Sequence, residues 1–145
     1  MKKFYLLFAF AIVVSASCNS KKSDAKEDTV KEEVAVVDIH NAQNSLDVNG
    51  VYSGTLPSAS GGGMNVVITL SDGTYKKSVT YAKEPDKTFD TSGKYTWDNN
   101  GSIITLEGEE VPNKYFVGEN TLTHLDINGN KITGELADKY VLKKK

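Results

Sequence analysis

Turn-forming residues recur at short intervals along most of this chain, and that spacing limits what it can fold into. After Asp72-Gly73 come Glu84-Pro85-Asp86, Asn99-Asn100-Gly101, Val111-Pro112-Asn113, Gly118-Glu119-Asn120 and Asn128-Gly129. Asn-Gly and Asp-Gly pairs tolerate the positive φ angles of tight hairpin turns, so the pattern predicts an antiparallel meander rather than helical crossovers. Between the turns lie short β-prone runs. Tyr52, Thr55 and Leu56 precede Pro57, and Met64, Val66, Ile68 and Leu70 then share one face of a second run. From Thr88 to Asp98 the period is plainest: Phe89, Thr91, Gly93, Tyr95 and Trp97 alternate with polar residues, as in a strand buried on one face. Tyr75, Val79 and Tyr81 alternate likewise. Later strands draw their apolar residues from Ile103, Ile104 and Leu106, Tyr115 and Val117, Leu122 and Leu125, Ile132 and Leu136, and Tyr140 and Leu142. No long helix is visible.

About eight short strands with local connections leave a sandwich or an up-and-down barrel that closes to remove its edges. The even spacing favours the second, an all-β, small antiparallel up-and-down β-barrel. It occupies only part of the 145 residues. Residues 1–17 have the parts of a secretory signal: Lys2 and Lys3, an apolar run over 4–14, then Ser15, Ala16 and Ser17. The apolar run is far shorter than the roughly 20 residues of a bilayer helix. Cys18, the chain's one cysteine, follows immediately, in the manner of a bacterial lipobox, so it is the expected site of lipidation with palmitate-type acyl chains. Ser15 stands where that motif usually carries an aliphatic residue. The reading therefore places residues 1–17 in a lipoprotein signal peptide, 18–43 in a lipidated cysteine and polar tether, and 44–145 in the barrel domain.

The tether is rich in Lys, Asp, Glu, Ser and Ala, a composition that buries too little apolar surface to order itself. As a flexible linker it reaches on the order of 25 to 30 Å. Val34, Val36, Val37 and Ile39 break its polarity and suit either disorder or a short element packed on the domain. Asp28-Thr29-Val30 resembles a bacterial O-glycosylation acceptor, but a solvated linker is the favoured reading of those residues.

Composition excludes several function classes. A net charge of −2 argues against a nucleic-acid partner, which calls for a basic face. All 17 basic residues are lysine, so the bidentate grip of arginine on phosphate is missing. Gly61-Gly62-Gly63 lacks the following Lys-Ser/Thr of a phosphate loop and precedes a strand. His40 and His124 are the only histidines and are far apart in sequence, so no recognisable metal-ligand spacing exists. The loop from Asp126 to Asn130 begins like a calcium loop but has Lys131 where glycine is required and Ala137 where the bidentate glutamate belongs. Ser58 and Ser60 lack a nucleophile elbow, and His124 is the one imidazole base within the domain. The expectation is a non-enzymatic protein with no cofactor and no metal. The aromatic residues Tyr75, Tyr81, Phe89, Tyr95 and Trp97 either pack the core or line a cavity whose mouth lies beside the 58–63 loop.

The lead NSLDV from Asn44, the aromatic-x-Gly strand around Tyr52, Leu56-Pro57, and the later GKYTWDNNGSIITL and KYFVGENTLTHLDINGNKITGEL segments resemble the N-terminal domain of the NlpE copper-resistance lipoproteins. The resemblance covers about Asn44 to Lys143 and implies a small barrel comparable with lipocalins. That family carries Leu-Pro-Cys-x-x-Cys, a pair suited to Cu(I) or redox chemistry; this chain has Ser58 and Gly61 in place of the cysteines. The resemblance also implies a lipid-anchored cell-envelope lipoprotein acting in envelope stress or surface sensing, or in copper homeostasis, through an envelope protein partner. A lipocalin-like binder of a small apolar ligand is the alternative. Asn19 after Cys18 does not match the inner-membrane retention residue Asp, which places the expected anchor in the outer membrane with the domain facing the periplasm.

Overall fold

The computed structural model describes residues 40–145; the signal peptide, Cys18, Asp28-Thr29-Val30 and the 34–39 valines and isoleucine lie outside the described residues. Eight antiparallel strands follow in chain order, each paired with its neighbours, and the last returns to the first. They are β1 (Gly50–Leu56), β2 (Met64–Ser71), β3 (Thr74–Tyr81), β4 (Thr88–Trp97), β5 (Ile103–Leu106), β6 (Lys114–Gly118), β7 (Thr121–His124) and β8 (Val141–Lys144). The expected up-and-down barrel is the fold.

The turn chemistry acts as the sequence suggests. Asp72 and Gly73 both take positive φ, 45° and 80°, and join β2 to β3 across the Ser71–Thr74 pair, the two-residue hairpin geometry that suits sheet twist. At the β4–β5 turn, the Asp98 carboxylate accepts the Ser102 and Ile103 amides at 2.8 and 2.9 Å, and Gly101 supplies a left-handed residue. The calcium-like segment is a turn as well, with Asp126 Oδ1 accepting the amides of Asn128 and Asn130 at 2.9 and 2.8 Å.

Two expectations change. Ile132 and Leu136 belong to no strand. They lie in the long β7–β8 connection, where the chain makes a single Leu125–Lys131 bridge and a 3-10 turn over Ala137–Tyr140. Leu136 is half exposed there, because alternation in a loop places no residue against the lumen. Trp97, read as core, shares the inward face of β4 but is only partly buried. It meets Tyr95 edge to face, with ring centroids 6.2 Å apart.

The strands differ in length: β2, β3 and β4 have 8, 8 and 10 residues, whereas β5 and β7 have 4 each. One wall of the barrel is therefore tall and the other low. β4 pairs with β3 from Thr88 to Lys94 but with β5 only at Tyr95, Thr96 and Trp97. Where both walls are present the lumen is packed by Tyr52, Ile68, Leu70, Ile104, Leu106, Leu122 and Leu142, all 1% exposed or less.

Residues 41–49 close this packed end. A four-residue helix, α1 (Ala42–Ser45), is held by a capping box in which Asn41 and Asn44 each accept the other's amide. The Gln43 amide donates to Gly101 O at 2.9 Å. Asn49 exchanges two hydrogen bonds with Asp72, so the segment runs from the β4–β5 turn to the β2–β3 turn. Ala42, Leu46 and Val48 pack on the core beneath it, and the Tyr52 hydroxyl donates to Val48 O at 3.0 Å.

The unequal burial makes a stability prediction. Ile104→Ala should cost about 3 to 4 kcal/mol and Trp97→Ala about 2, because the tryptophan loses less buried surface than a core ring does. Urea denaturation of both variants checks this, and a Trp97→Ala cost equal to or above that of Ile104→Ala would contradict the placement.

Candidate functional site

The open end of the barrel holds a cavity of about 490 Å³, within the roughly 300 to 1,000 Å³ common for small-ligand sites. Strand register assembles it. On the tall wall Val66, Val79 and Phe89 lie in one line across β2, β3 and β4, and Ile68, Lys77 and Thr91 in the next. Leu56 and Met64, flanking the 57–63 loop, complete the apolar side, and Pro112, Tyr115 and His124 form the low wall. The mouth thus lies beside the glycine loop, as expected. Of the candidate cavity aromatics, Tyr81 and Phe89 line it; Tyr75 is buried at its floor, and Tyr95 and Trp97 lie toward the packed end. Phe89 is 50% exposed although it points inward, because the low wall does not rise high enough to cover it.

The gap beside β4 is filled by a strap, residues 107–113, connecting β5 to β6. Its base is clamped: the Leu106 amide donates to Asn113 O, and Asn113 Nδ2 donates to Leu106 O, both at 3.0 Å. Glu109 turns from the strap into the lumen. Lys77 Nζ lies 2.5 Å from its Oε2, Thr91 Oγ1 donates to Oε1, and the Tyr75 hydroxyl lies 3.4 Å from Oε1 and donates to Glu107 O at 2.9 Å. The Lys77 and Glu109 side chains are 16% and 10% exposed. Gly93 makes this possible, since a Cβ there would lie 3.0 Å from the Tyr75 ring and 2.9 Å from Glu107 O.

Burial of the Glu109 carboxyl would by itself raise its pKa, but hydrogen bonds from Lys77 and Thr91 and the lysine charge outweigh it and hold the group below the usual carboxylate range. Tyr115 is pushed upward, by burial first and then by the negative charge of Glu109. His124 ends β7 half-buried. Its Nε2 lies 3.0 Å from Pro112 O, and because a carbonyl only accepts, Nε2 carries the proton and Nδ1 a bare lone pair. Nδ1 is buried with no partner among the described residues, and burial holds the imidazole below its ordinary pKa. His124 thereby pins the strap as a neutral donor.

The other candidates lie elsewhere or are engaged locally. Ser58 donates to Gly61 O at 3.1 Å and sits 3.3 Å from Ser60, while His124 is committed to Pro112, so serine and imidazole form no pair. Gly61, Gly62 and Gly63 all take positive φ, 76° to 85°, and a cysteine at Gly61 would be strained. His40 is exposed at the start of the described chain. Among the described residues no group of three or more His, Cys, Asp or Glu is placed to hold a metal ion.

Lys77 and Glu109 were not anticipated. Lys77 has a signal in retrospect: it falls on the inward side of the Tyr75, Val79, Tyr81 alternation, where a charge needs an internal partner. Glu109 has none, since a loop residue has no period.

A pH dependence follows for Glu109. Its pKa is lower in the folded chain than the roughly 4.3 of a free glutamate, so its contribution is fully present above that value and is lost as pH falls through the folded pKa. Glu109→Gln should lower stability at pH 7 by about 1 to 2 kcal/mol, with the gap to the parent narrowing below about pH 4. A gap that stays constant from pH 7 to pH 3 would count against an ionised, paired Glu109.

Comparison with known proteins agrees with this architecture. The sequence model of the NlpE N-terminal domain matches residues 52–135, more than half of the chain. A crystal structure of a candidate lipoprotein from Shewanella oneidensis superposes with a TM-score of 0.67 at 46% identity, covering 72% of this chain and 95% of the other. No curated protein matches the chain. The chain belongs to the NlpE N-terminal domain family.

Proposed function

We propose that this protein is a non-enzymatic, lipid-anchored lipoprotein of the cell envelope whose barrel takes a small amphipathic ligand at its open end. The observation that carries the reading is the 490 Å³ cavity. A barrel of this size either fills its lumen with side chains or holds one small ligand, and here one end is filled while the other keeps a cavity. Cys18 after a short apolar leader, the family, and the similarity to a candidate lipoprotein support the anchor. Asn19 favours the outer membrane, with the domain facing the periplasm. The described chain enters the barrel at its closed end, beside Gly101, the end opposite the mouth.

A second reading, contact with an envelope protein partner in stress or surface sensing, has its own support. The exposed large apolar residues Phe89, Val111, Ile127 and Leu136 all lie on the mouth-end connections or, for Phe89, one residue inside β4. The two readings are compatible, because a ligand in the mouth would alter the rim a partner meets. Copper homeostasis rests on the family association alone, since Ser58 and Gly61 supply no thiolate.

Two measurements test the proposal. The environment-sensitive dye N-phenyl-1-naphthylamine should bind the Cys18→Ala protein with enhanced fluorescence, and Val79→Lys, which puts a charge into the apolar wall, should weaken binding by about tenfold or more. A dye response equal in both proteins would locate binding elsewhere. Cys18→Ala should also leave the membrane fraction, and its persistence on washed membranes would rule out the lipid anchor.

A further inference from the structure

The polar floor of the cavity is built for a carboxylate. Two donors from adjacent strands converge there, Lys77 Nζ from β3 and Thr91 Oγ1 from its register partner on β4, beside the Tyr75 hydroxyl, whose proton goes to Glu107 O. The group they hold comes from Glu109, which belongs to neither strand. It is carried in by the strap, and its carboxylate meets the two donors where the apolar wall of Val66, Val79 and Phe89 ends.

A charged pair at this position is expensive as a stability device. Lysine and carboxylate both lose hydration, and such pairs often do no better than apolar residues of the same volume. The strap does not need Glu109 for its attachment. Leu106 and Asn113 clamp its base, His124 holds Pro112 O, and the Glu107 amide donates to Lys94 O at 2.9 Å. Gly108 lies between these anchors at φ 82°, with nothing within 4 Å of where its Cβ would be. Departure of the Glu109 carboxylate from the lumen would break none of these clamps.

We propose that Lys77 and Thr91 form a carboxylate-binding site that Glu109 occupies as an internal substitute, and that the ligand of the cavity is a small amphipathic monocarboxylate. Its head replaces the Glu109 carboxylate on these two donors. Its apolar tail runs up the tall wall toward Met64 and Phe89. The exchange conserves charge, one carboxylate for another, so Lys77 is never left buried without a partner. Glu109 thereby competes with the ligand and sets a threshold concentration for it. This rests on the cavity reading above and adds the chemistry of the head group.

Competition against N-phenyl-1-naphthylamine tests it on the Cys18→Ala protein, with decanoate, decanol and acetate as competitors. Decanoate should displace the dye about tenfold better than decanol, the increment expected of a charge-assisted hydrogen-bonded head, and acetate should not displace it. Glu109→Ala should bind decanoate about tenfold more tightly than the parent, and the isosteric Glu109→Gln should shift the same way; Lys77→Met should erase the preference for decanoate over decanol. Circular dichroism confirms that each variant is folded. Dye binding with decanoate and decanol equal in the parent and in both Glu109 variants would overturn the carboxylate site and leave the cavity standing. Failure of the dye and of all three competitors to bind would remove both.

Discussion

Closing eight antiparallel strands into a barrel sends alternate side chains of every strand into one narrow lumen, and whatever the strands do not share in length appears as a difference between its two ends. Here β2, β3 and β4 outrun their counterparts. Where opposing walls both exist, inward side chains meet and exclude water, giving a core from Tyr52 to Leu142. Above that level the inward residues of the tall wall face a cavity. The same alternation that buries Ile68 completely leaves Phe89 half exposed.

The strap is the fold's response to that mismatch. A long β4 beside a short β5 would present unpaired backbone and an inward charge on Lys77. Residues 107–113 occupy the gap and deliver Glu109 to that charge, at 2.5 Å. The result is an interior with apolar walls and one compact polar floor, the composition expected of a site that orients an amphipathic molecule. On the proposed reading, stability and function are separated along the barrel axis: the packed end and its α1 plug carry the fold, while the mouth carries the ligand contacts. Such a division is common where binding segments are drawn from the less stable part of a structure.

Most of the fold was legible in the sequence because it rests on local signals. Asp72-Gly73 specifies a hairpin by its φ angles alone, and the alternation from Phe89 to Trp97 marks the inward face correctly along its whole length. What alternation cannot give is how far a neighbouring strand extends, so Trp97 and Phe89 were equivalent in sequence and differ in burial. Ile132 and Leu136 show the reverse failure, apolar residues without a strand. The site was less legible for a related reason. Ser58 and Gly61 draw attention through a family pattern whose cysteines are absent, whereas the polar cluster joins Lys77, Thr91 and Glu109 through register and a loop, relations that no short window contains.

Native-state amide hydrogen exchange tests the division between a packed end and an open mouth most directly. The account predicts that amides of β6, β7 and the packed ends of β1 and β2 exchange only through global unfolding, whereas those of Glu109, Glu110 and Val111 and the unpaired amides of upper β4 exchange at least about a hundredfold faster by local opening. Protection that is uniform from Leu122 through Glu109 to Thr88 would contradict it, because the barrel would then be one cooperative unit with no separable mouth.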